Sequence, residues 1–252
     1  MEPLPVESLQ RKADDSLLLT GIEKNLGDFS LKVEKLSISF PGIYGIIGPN
    51  GSGKSTLAKI MAGLLKVDRG SIKSNGLGER DITFLSRKPY MMDDTVYNNL
   101  VYPLKVRNIK PDPGRCAAYL DRMGFSQRGK QKARSLSGGE QQKLALLRAL
   151  IFKPLLIIAD EAMTAMDMDS LDLFETMILE NQKKEPIIWV FISHQMPQIR
   201  RLCDHVFFMY NGKVETEGST EEIFSRLSCV NPRLGQYLQS YGGGIARKVE
   251  GI

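Results

Sequence analysis

The stretch 48-GPNGSGKST-56 decides the fold of this chain. It fits the pattern GxxxxGK[ST], and its surroundings give the pattern a physical context. Before it runs "GIYGII" (Gly42–Ile47), short, apolar and rich in β-branched residues, which reads as a buried strand. After it runs "KSTLAKIMAGLLK", with apolar residues every three or four positions, which reads as a helix. A strand, a glycine-rich turn and a helix in that order aim backbone amides and the positive end of a helix at one point, which suits a phosphate. Pro49, Asn50, Gly51, Ser52, Gly53 and Thr56 are therefore expected to line a phosphate cradle. Lys54 is expected to reach the β and γ phosphates, and the Ser55 hydroxyl to ligate Mg²⁺.

Outward from this loop, strand and helix patterns alternate. "FSLKVEKLSISF" (29–40) alternates apolar and polar residues like a half-buried strand, and "GSIKSNG" (70–76) and "DITFL" (81–85) read as further short strands. From Asp94 to about Leu136 the pattern is helical and more polar. "PLLIIAD" (154–160) and "PIIWVFISH" (186–194) are apolar strands, and "HVFFMYNGKVETEG" (205–218) is a hairpin turning at Asn211-Gly212. Apolar strands alternating with helices imply an α/β fold with a mainly parallel sheet covered on both faces.

Composition narrows the function without choosing it. The chain has 252 residues, 42% apolar and 25% charged, enough for a full core and too ordered in composition for a disordered protein. A net charge of +5 and a pI near 9.0 fit a phosphate-bearing ligand, a membrane surface or nucleic acid equally. Cys116, Cys203 and Cys229 form no CxxC pair, so a zinc site or disulfide framework is not expected, and a reducing compartment is. Residues 1–16 read as a loose arm without the apolar core of a secretory leader. No run approaches the roughly 18 apolar residues of a membrane span. A soluble chain is expected, and work at a membrane would need spans from another chain. The stretch "YGGGIARKVEGI" (241–252) reads as mobile.

Asp160 ends an apolar strand, so its carboxylate emerges at a sheet edge, where it can hold Mg²⁺; Glu161 follows and can polarise an attacking water. "SLSGGEQQKLALLRALIF" (135–152) opens with a capping box, Ser137 accepting from the Glu140 amide and Glu140 reaching back, ahead of a long amphipathic helix.

With "LSGGEQQ" (Leu136–Gln142) the chain resembles the ATP-binding-cassette ATPases. The resemblance covers about residues 17–228 and takes in the phosphate loop, this signature, the Asp160-Glu161 pair, "TAMD" (164–167) and "ISHQ" (192–195), in the family's order. It implies a P-loop NTPase core with an antiparallel β subdomain and a small helical subdomain at about 91–145, flanked by an arm (1–16) and a tail (229–252). It implies ATP and Mg²⁺, and two copies packed head to tail. Each ATP would lie between one copy's phosphate loop and the other's signature, with Ser137, Gly138 and Gly139 holding the γ-phosphate. His194 would contact that phosphate and orient Glu161, while Asp167 would line the dimer seam as well as cap the helix after it. His205, outside any such pattern, is expected to be structural. The adenine is expected to stack on Phe29, although the family places its aromatic residue earlier, where this chain has Leu26.

Leu136 follows Gly48 by 88 positions, too few for the inserted coiled coils or zinc modules of genome-maintenance cassettes, and typical of transporter subunits. "LGDFSLKV" (26–33) and "TVYNNLVYPLKVR" (95–107) look most like molybdate and tungstate importer cassettes. That resemblance implies a separate membrane permease, an extracellular substrate-binding protein, residence at the cytoplasmic membrane face and no nucleic acid. The Tyr- and Met-rich segment 88–106 suits a groove that receives a partner helix, with ordinary core packing as the alternative. One residue departs from the pattern. In "FLSRKPY" (84–90), Arg87 occupies the family's glutamine position, and arginine has donors only. It can bind a phosphate oxygen, swing outward, or weaken catalysis and coupling. Two other functions stay open: a soluble cassette of similar size and motifs acting on a protein scaffold, as in iron–sulfur assembly, and, from Arg87 alone, a catalytically weakened, nucleotide-gated adaptor.

Overall fold

The structure, a computed structural model, describes residues 16–39 and 41–241. The expected arm lies outside them apart from Ser16, as does the stretch beyond Tyr241 that reads as mobile.

Its strands and main helices follow in chain order: β1 (Ser16–Leu26), β2 (Phe29–Ser39), β3 (Gly42–Ile47), α1 (Lys54–Met61), β4 (Arg69–Asn75), β5 (Ile82–Ser86), α2 (Val96–Val106), α3 (Pro113–Arg122), α4 (Gly138–Leu150), β6 (Leu156–Asp160), α5 (Met168–Lys184), β7 (Ile188–Ile192), α6 (Met196–Leu202), β8 (His205–Tyr210), β9 (Lys213–Ser219) and α7 (Pro232–Ser240). The strands expected from the sequence all appear. β1 is the addition: Gly21, at φ 59, breaks its alternation, and the pairing with β4 slips between Thr20 and Glu23. Within the segment expected as a tail, α7 is a regular helix with Leu234 and Leu238 buried.

Contacts divide the described chain into two units. One joins residues 16–79 to 188–241. It holds an antiparallel sheet in the order β2-β1-β4 and a second sheet in which β3 lies between β7 and β8, all parallel, with β9 antiparallel at the edge. On the first sheet Leu17, Leu19, Leu31, Val33, Leu36 and Ile38 are buried, at alternate positions except where Glu34 and Lys35 together separate Val33 from Leu36, each contributing about 1.5–3 kcal/mol. β3 and β7 carry apolar residues without a polar face, and Ile46, Ile47 and Trp189 to Phe191 are buried throughout.

The other unit spans Arg80–Ile187. β5 and β6 pair in parallel, and α4 buries Leu144, Leu146, Leu147 and Leu150. The helices are capped as their sequences dictate: Thr95 for α2, Asp112 for α3 with Pro113 in the first turn, Ser137 for α4 and Asp167 for α5. Cys116 and Cys203 are buried thiols and Cys229 an exposed one, all free. Among the described residues no helix is long and apolar enough to cross a membrane.

Candidate functional site

The phosphate loop leaves the end of β3 and enters α1, as its sequence requires. Lys54 is buried, yet its ammonium is held by the loop itself: Nζ donates to the carbonyls of Gly48 at 2.8 Å and Pro49 at 2.9 Å. A buried cation on a glycine-rich loop that leads into a helix N-terminus is a site that an anion stabilises. Ser52 Oγ is buried with no hydrogen-bond partner among the described residues, the kind of polar atom a bound ligand satisfies. Asn50, Gly51 and Ser55 are exposed at the mouth, and Thr56 is half-buried. These residues fit a nucleotide phosphate chain.

Two elements brace the loop. The Phe29 ring lies beneath it, close enough that a Cβ on Gly53 would sit 2.8 Å from Cζ. Phe29 is thus a half-buried support of the loop, while Leu26, its partner across the β1–β2 turn, is 43% exposed. The second brace is the β8–β9 turn. Asn211 and Gly212 both have positive φ, 44° and 76°. Gly212 N donates to Ser52 O at 3.1 Å and Gly212 O accepts from Lys32 N at 2.7 Å, tying the loop to β2. A Cβ on Gly212 would meet Ser30 O at 2.1 Å, so only glycine fits.

His194 stands just beyond β7, half-buried, with its imidazole stacked on Tyr241. His205 is structural as expected: it faces Tyr44 and Phe207, with Nε2 3.8 Å from Glu217.

In the Arg80–Ile187 unit the register of the β5–β6 pair sets the geometry. Ser86 lies opposite Asp160, so the next residues of each strand, Arg87 and Glu161, emerge side by side. Arg87 Nη1 is 3.4 Å from Glu161 Oε2, with the arginine side chain 67% exposed and the glutamate 20%. Glu161 has φ 50°, a left-handed conformation rare for a non-glycine residue and typical of sites that hold strain. Thr164 closes the turn, its Oγ1 donating to Glu161 O at 3.1 Å.

Gln142, on α4 and buried, joins this site to its neighbours. Its Nε2 donates to Arg87 O at 2.9 Å, and its Oε1 accepts from Ala165 N at 3.1 Å. The sequence shows "EQQ" within the signature but assigns Gln142 no task; only the fold reveals one. Ser137 forms the expected capping box with Glu140. Glu140 also pairs with Arg128 at 2.5 Å, and that bond, with the Ser137 amide, pulls the Glu140 carboxyl down to about 2. Gly139 lets α4 approach the 161–167 turn, where Ala165 O would lie 2.7 Å from any Cβ. Asp167 accepts from Ser170 N at 2.8 Å, and the Ser170 bonds hold its carboxyl below the usual range. One unit thus gathers Arg87, Asp160, Glu161, Asp167 and the signature, and the other gathers Phe29, the phosphate loop and His194.

The profile of the ABC transporter family matches residues 31–164. The chain belongs to the ABC transporter family. It is therefore an ATP-binding cassette and an ATPase. Among its relatives is the tungstate uptake system ATP-binding protein TupC of Peptoclostridium acidaminophilum, 35% identical over 80% of this chain and 98% of that one. The phosphate import ATP-binding protein PstB of Saccharolobus solfataricus is 30% identical over 85% and 92%. The methionine import ATP-binding protein MetN 4 of Oceanobacillus iheyensis is 34% identical over 82% of this chain, which spans only 66% of that relative. Of solved structures, an ATP-binding cassette of an ABC transporter in its ADP conformation superposes with a TM-score of 0.70 at 26% identity, over 89% of this chain and 98% of that one. CbiO1 of Clostridium perfringens shares the fold, with a TM-score of 0.71 at 23% identity, over 90% and 95%.

Proposed function

We propose that this cassette powers import of an oxyanion of the tungstate and molybdate type through a separate membrane permease. The observation that carries the substrate class is the similarity to TupC, which extends over nearly all of that protein. In this reading two copies close on ATP. Residues 49–56 cradle the phosphates of one copy's nucleotide, and Ser137, Gly138 and Gly139 of the other copy reach the γ-phosphate. Lys54 neutralises the β and γ phosphates, and the adenine stacks by Phe29, over the surface that Leu26 leaves exposed. Ser55 and Asp160 hold Mg²⁺, which screens phosphate charge when bound. Glu161 accepts the proton of the attacking water, His194 contacts the γ-phosphate, and Asp167 lines the seam between copies. The chain works at the cytoplasmic face of the membrane, with an extracellular binding protein delivering the oxyanion and no role for nucleic acid.

A groove in the Arg80–Ile187 unit supports the permease partner. It holds about 430 Å³ and is lined by Phe84, Tyr90, Tyr102, Val106, Arg148 and Phe152. Tyr90 is 71% exposed, and Tyr102 and Val106 are also exposed, an apolar surface of the kind that takes a partner helix. The Arg87–Glu161 pair favours a second reading, a weakened, nucleotide-gated adaptor, because a guanidinium on that carboxylate competes with the attacking water for it. One experiment separates them. Deleting the chain from its source cells should abolish tungstate accumulation, measured by mass spectrometry. Wild type should restore it and Glu161→Gln should not. Restoration by Glu161→Gln would favour the adaptor, and unchanged tungstate and molybdate uptake in the deletion strain would remove the substrate assignment.

A further inference from the structure

His194 does not stand alone beyond β7. The Tyr241 ring lies over its imidazole, 5.5 Å between centroids with 19° between planes. Tyr241 directly follows α7 and also meets Tyr237 of that helix at 4.9 Å. Tyr237 in turn packs on Phe208 at 5.5 Å. Phe208 stands opposite Ile47 in the β3–β8 ladder, and Ile47 is the last residue before the phosphate loop. A row of aromatic rings therefore runs from His194 through the C-terminal helix to the strand pair from which the loop emerges.

The helix that supplies the middle of this row is itself anchored. Asn231 caps it by accepting from Leu234 N at 3.0 Å, Pro232 occupies its first turn, and Leu234, Tyr237 and Leu238 are buried. Its last ring is thus presented at a fixed place. An imidazole on a half-exposed turn has several rotamers, and a broad second torsion about its ring. Stacking against a near-parallel ring selects one plane.

We propose that Tyr241 is a positioning residue for ATP hydrolysis, holding the His194 imidazole in the plane its γ-phosphate contact requires. This rests on the reading of His194 as that contact. A group that acts only as the phosphoryl group transfers must be oriented beforehand, or each turnover includes the cost of ordering it. Loss of the stack should therefore lower kcat and leave nucleotide binding alone.

The test uses the full chain, with wild type, Tyr241→Ala, Tyr241→Leu, Tyr241→Phe, His194→Ala and the His194→Ala/Tyr241→Ala double variant. The chain has two histidines, so His205→Gln assigns the His194 ring protons by NMR. Those protons should be shifted upfield by the Tyr241 ring current in wild type and Tyr241→Phe, and should lose the shift in the Ala and Leu variants. The kcat of Tyr241→Ala and Tyr241→Leu should fall roughly three- to tenfold, with KM for ATP changed by less than about twofold, while Tyr241→Phe stays near wild type. Tyr241→Leu keeps apolar volume against Tyr237, so a loss shared with Tyr241→Ala reports the stack and not the helix. On the His194→Ala background, Tyr241→Ala should cost nothing further.

Absence of the ring-current shift, wild-type turnover in Tyr241→Ala, or an undiminished effect on the His194→Ala background would overturn the proposal. A slow His194→Ala beside a fast Tyr241→Ala overturns the role of Tyr241 alone. If His194→Ala itself turns over at the wild-type rate, the reading of His194 fails and the proposal goes with it.

Discussion

Arg87 Nη1 lies 3.4 Å from Glu161 Oε2, and the opposition of Ser86 and Asp160 in the parallel β5–β6 ladder puts the two residues there. The arginine, read from the sequence at the family's glutamine position, is turned toward the residue read as the general base. A guanidinium donates and never accepts, so it occupies a carboxylate oxygen of Glu161 that an attacking water would otherwise use. The arginine is two-thirds exposed, and a pair of that kind contributes up to about 1 kcal/mol. A contact of that strength would act as a light brake on hydrolysis, far short of a block.

Arg87→Gln is therefore expected to raise single-turnover hydrolysis by up to about fivefold at low salt. The advantage should shrink between roughly 0.05 and 0.5 M salt, because screening loosens the wild-type pair by itself. Quenched-flow measurement of both proteins, with Glu161→Gln as the inactive reference, checks this. A slower Arg87→Gln would mean that Arg87 assists the reaction, as a ligand of a phosphate oxygen would.

Gln142 spans the gap between the Arg87 carbonyl and the Ala165 amide. Gln142→Leu keeps the volume but leaves both backbone groups without that partner, at a cost of about 1–3 kcal/mol. The thermal midpoint should drop by about 2–10 °C. Calorimetry decides it, and an unchanged midpoint would mean that water replaces the amide.

Gly212→Ala places a methyl group where Ser30 O stands, at 2.1 Å, so the β8–β9 turn must shift and take its bond to Ser52 O with it. ATP affinity should weaken by about tenfold, the effect of losing one bond and some loop order. Titration with a fluorescent ATP analogue measures it. Unchanged affinity would show that the loop keeps its shape without the brace.

The fold should lose stability in acid through Glu140. Arg128, above all, holds its carboxyl down at about 2, against 4.5 for a free glutamate. A carboxyl with a lowered folded-state value contributes fully above the unfolded value and loses that contribution as pH falls toward the folded one. The window is thus from about 4.5 down to about 2. Glu140→Gln should be less stable than wild type at neutral pH, and the difference should vanish across that window. Thermal midpoints at stepped pH test this, and a difference independent of pH would assign the effect to packing.

Much of this protein was legible locally. "GPNGSGKST" announces a loop between strand and helix because its glycines, lysine and hydroxyls act within one turn of chain. The Ser137–Glu140 capping box and the Asp167 cap read equally well, since donor and acceptor are three residues apart. β1 escaped because Gly21 interrupts its alternation, and a strand with a bulge lacks the period of two that identifies it. Phe29 reads from the sequence as an adenine platform, and only the structure shows that its ring also lies against Gly53 of the loop.

The sequence by itself determined the phosphate loop, the acidic pair at the end of β6, the signature and the order of the strands from β2 to β9. Each is encoded in neighbouring residues, whose interactions do not depend on how the rest of the chain closes. Only the tertiary structure decided that Arg87 meets Glu161 across 74 positions, that Gln142 links the Arg87 carbonyl to the Ala165 amide, and that Tyr241 covers His194 across 47. Those contacts depend on strand register and on where a helix ends. A one-residue slip of β5 against β6 would turn Arg87 away from Glu161, and no stretch of neighbouring residues carries that register.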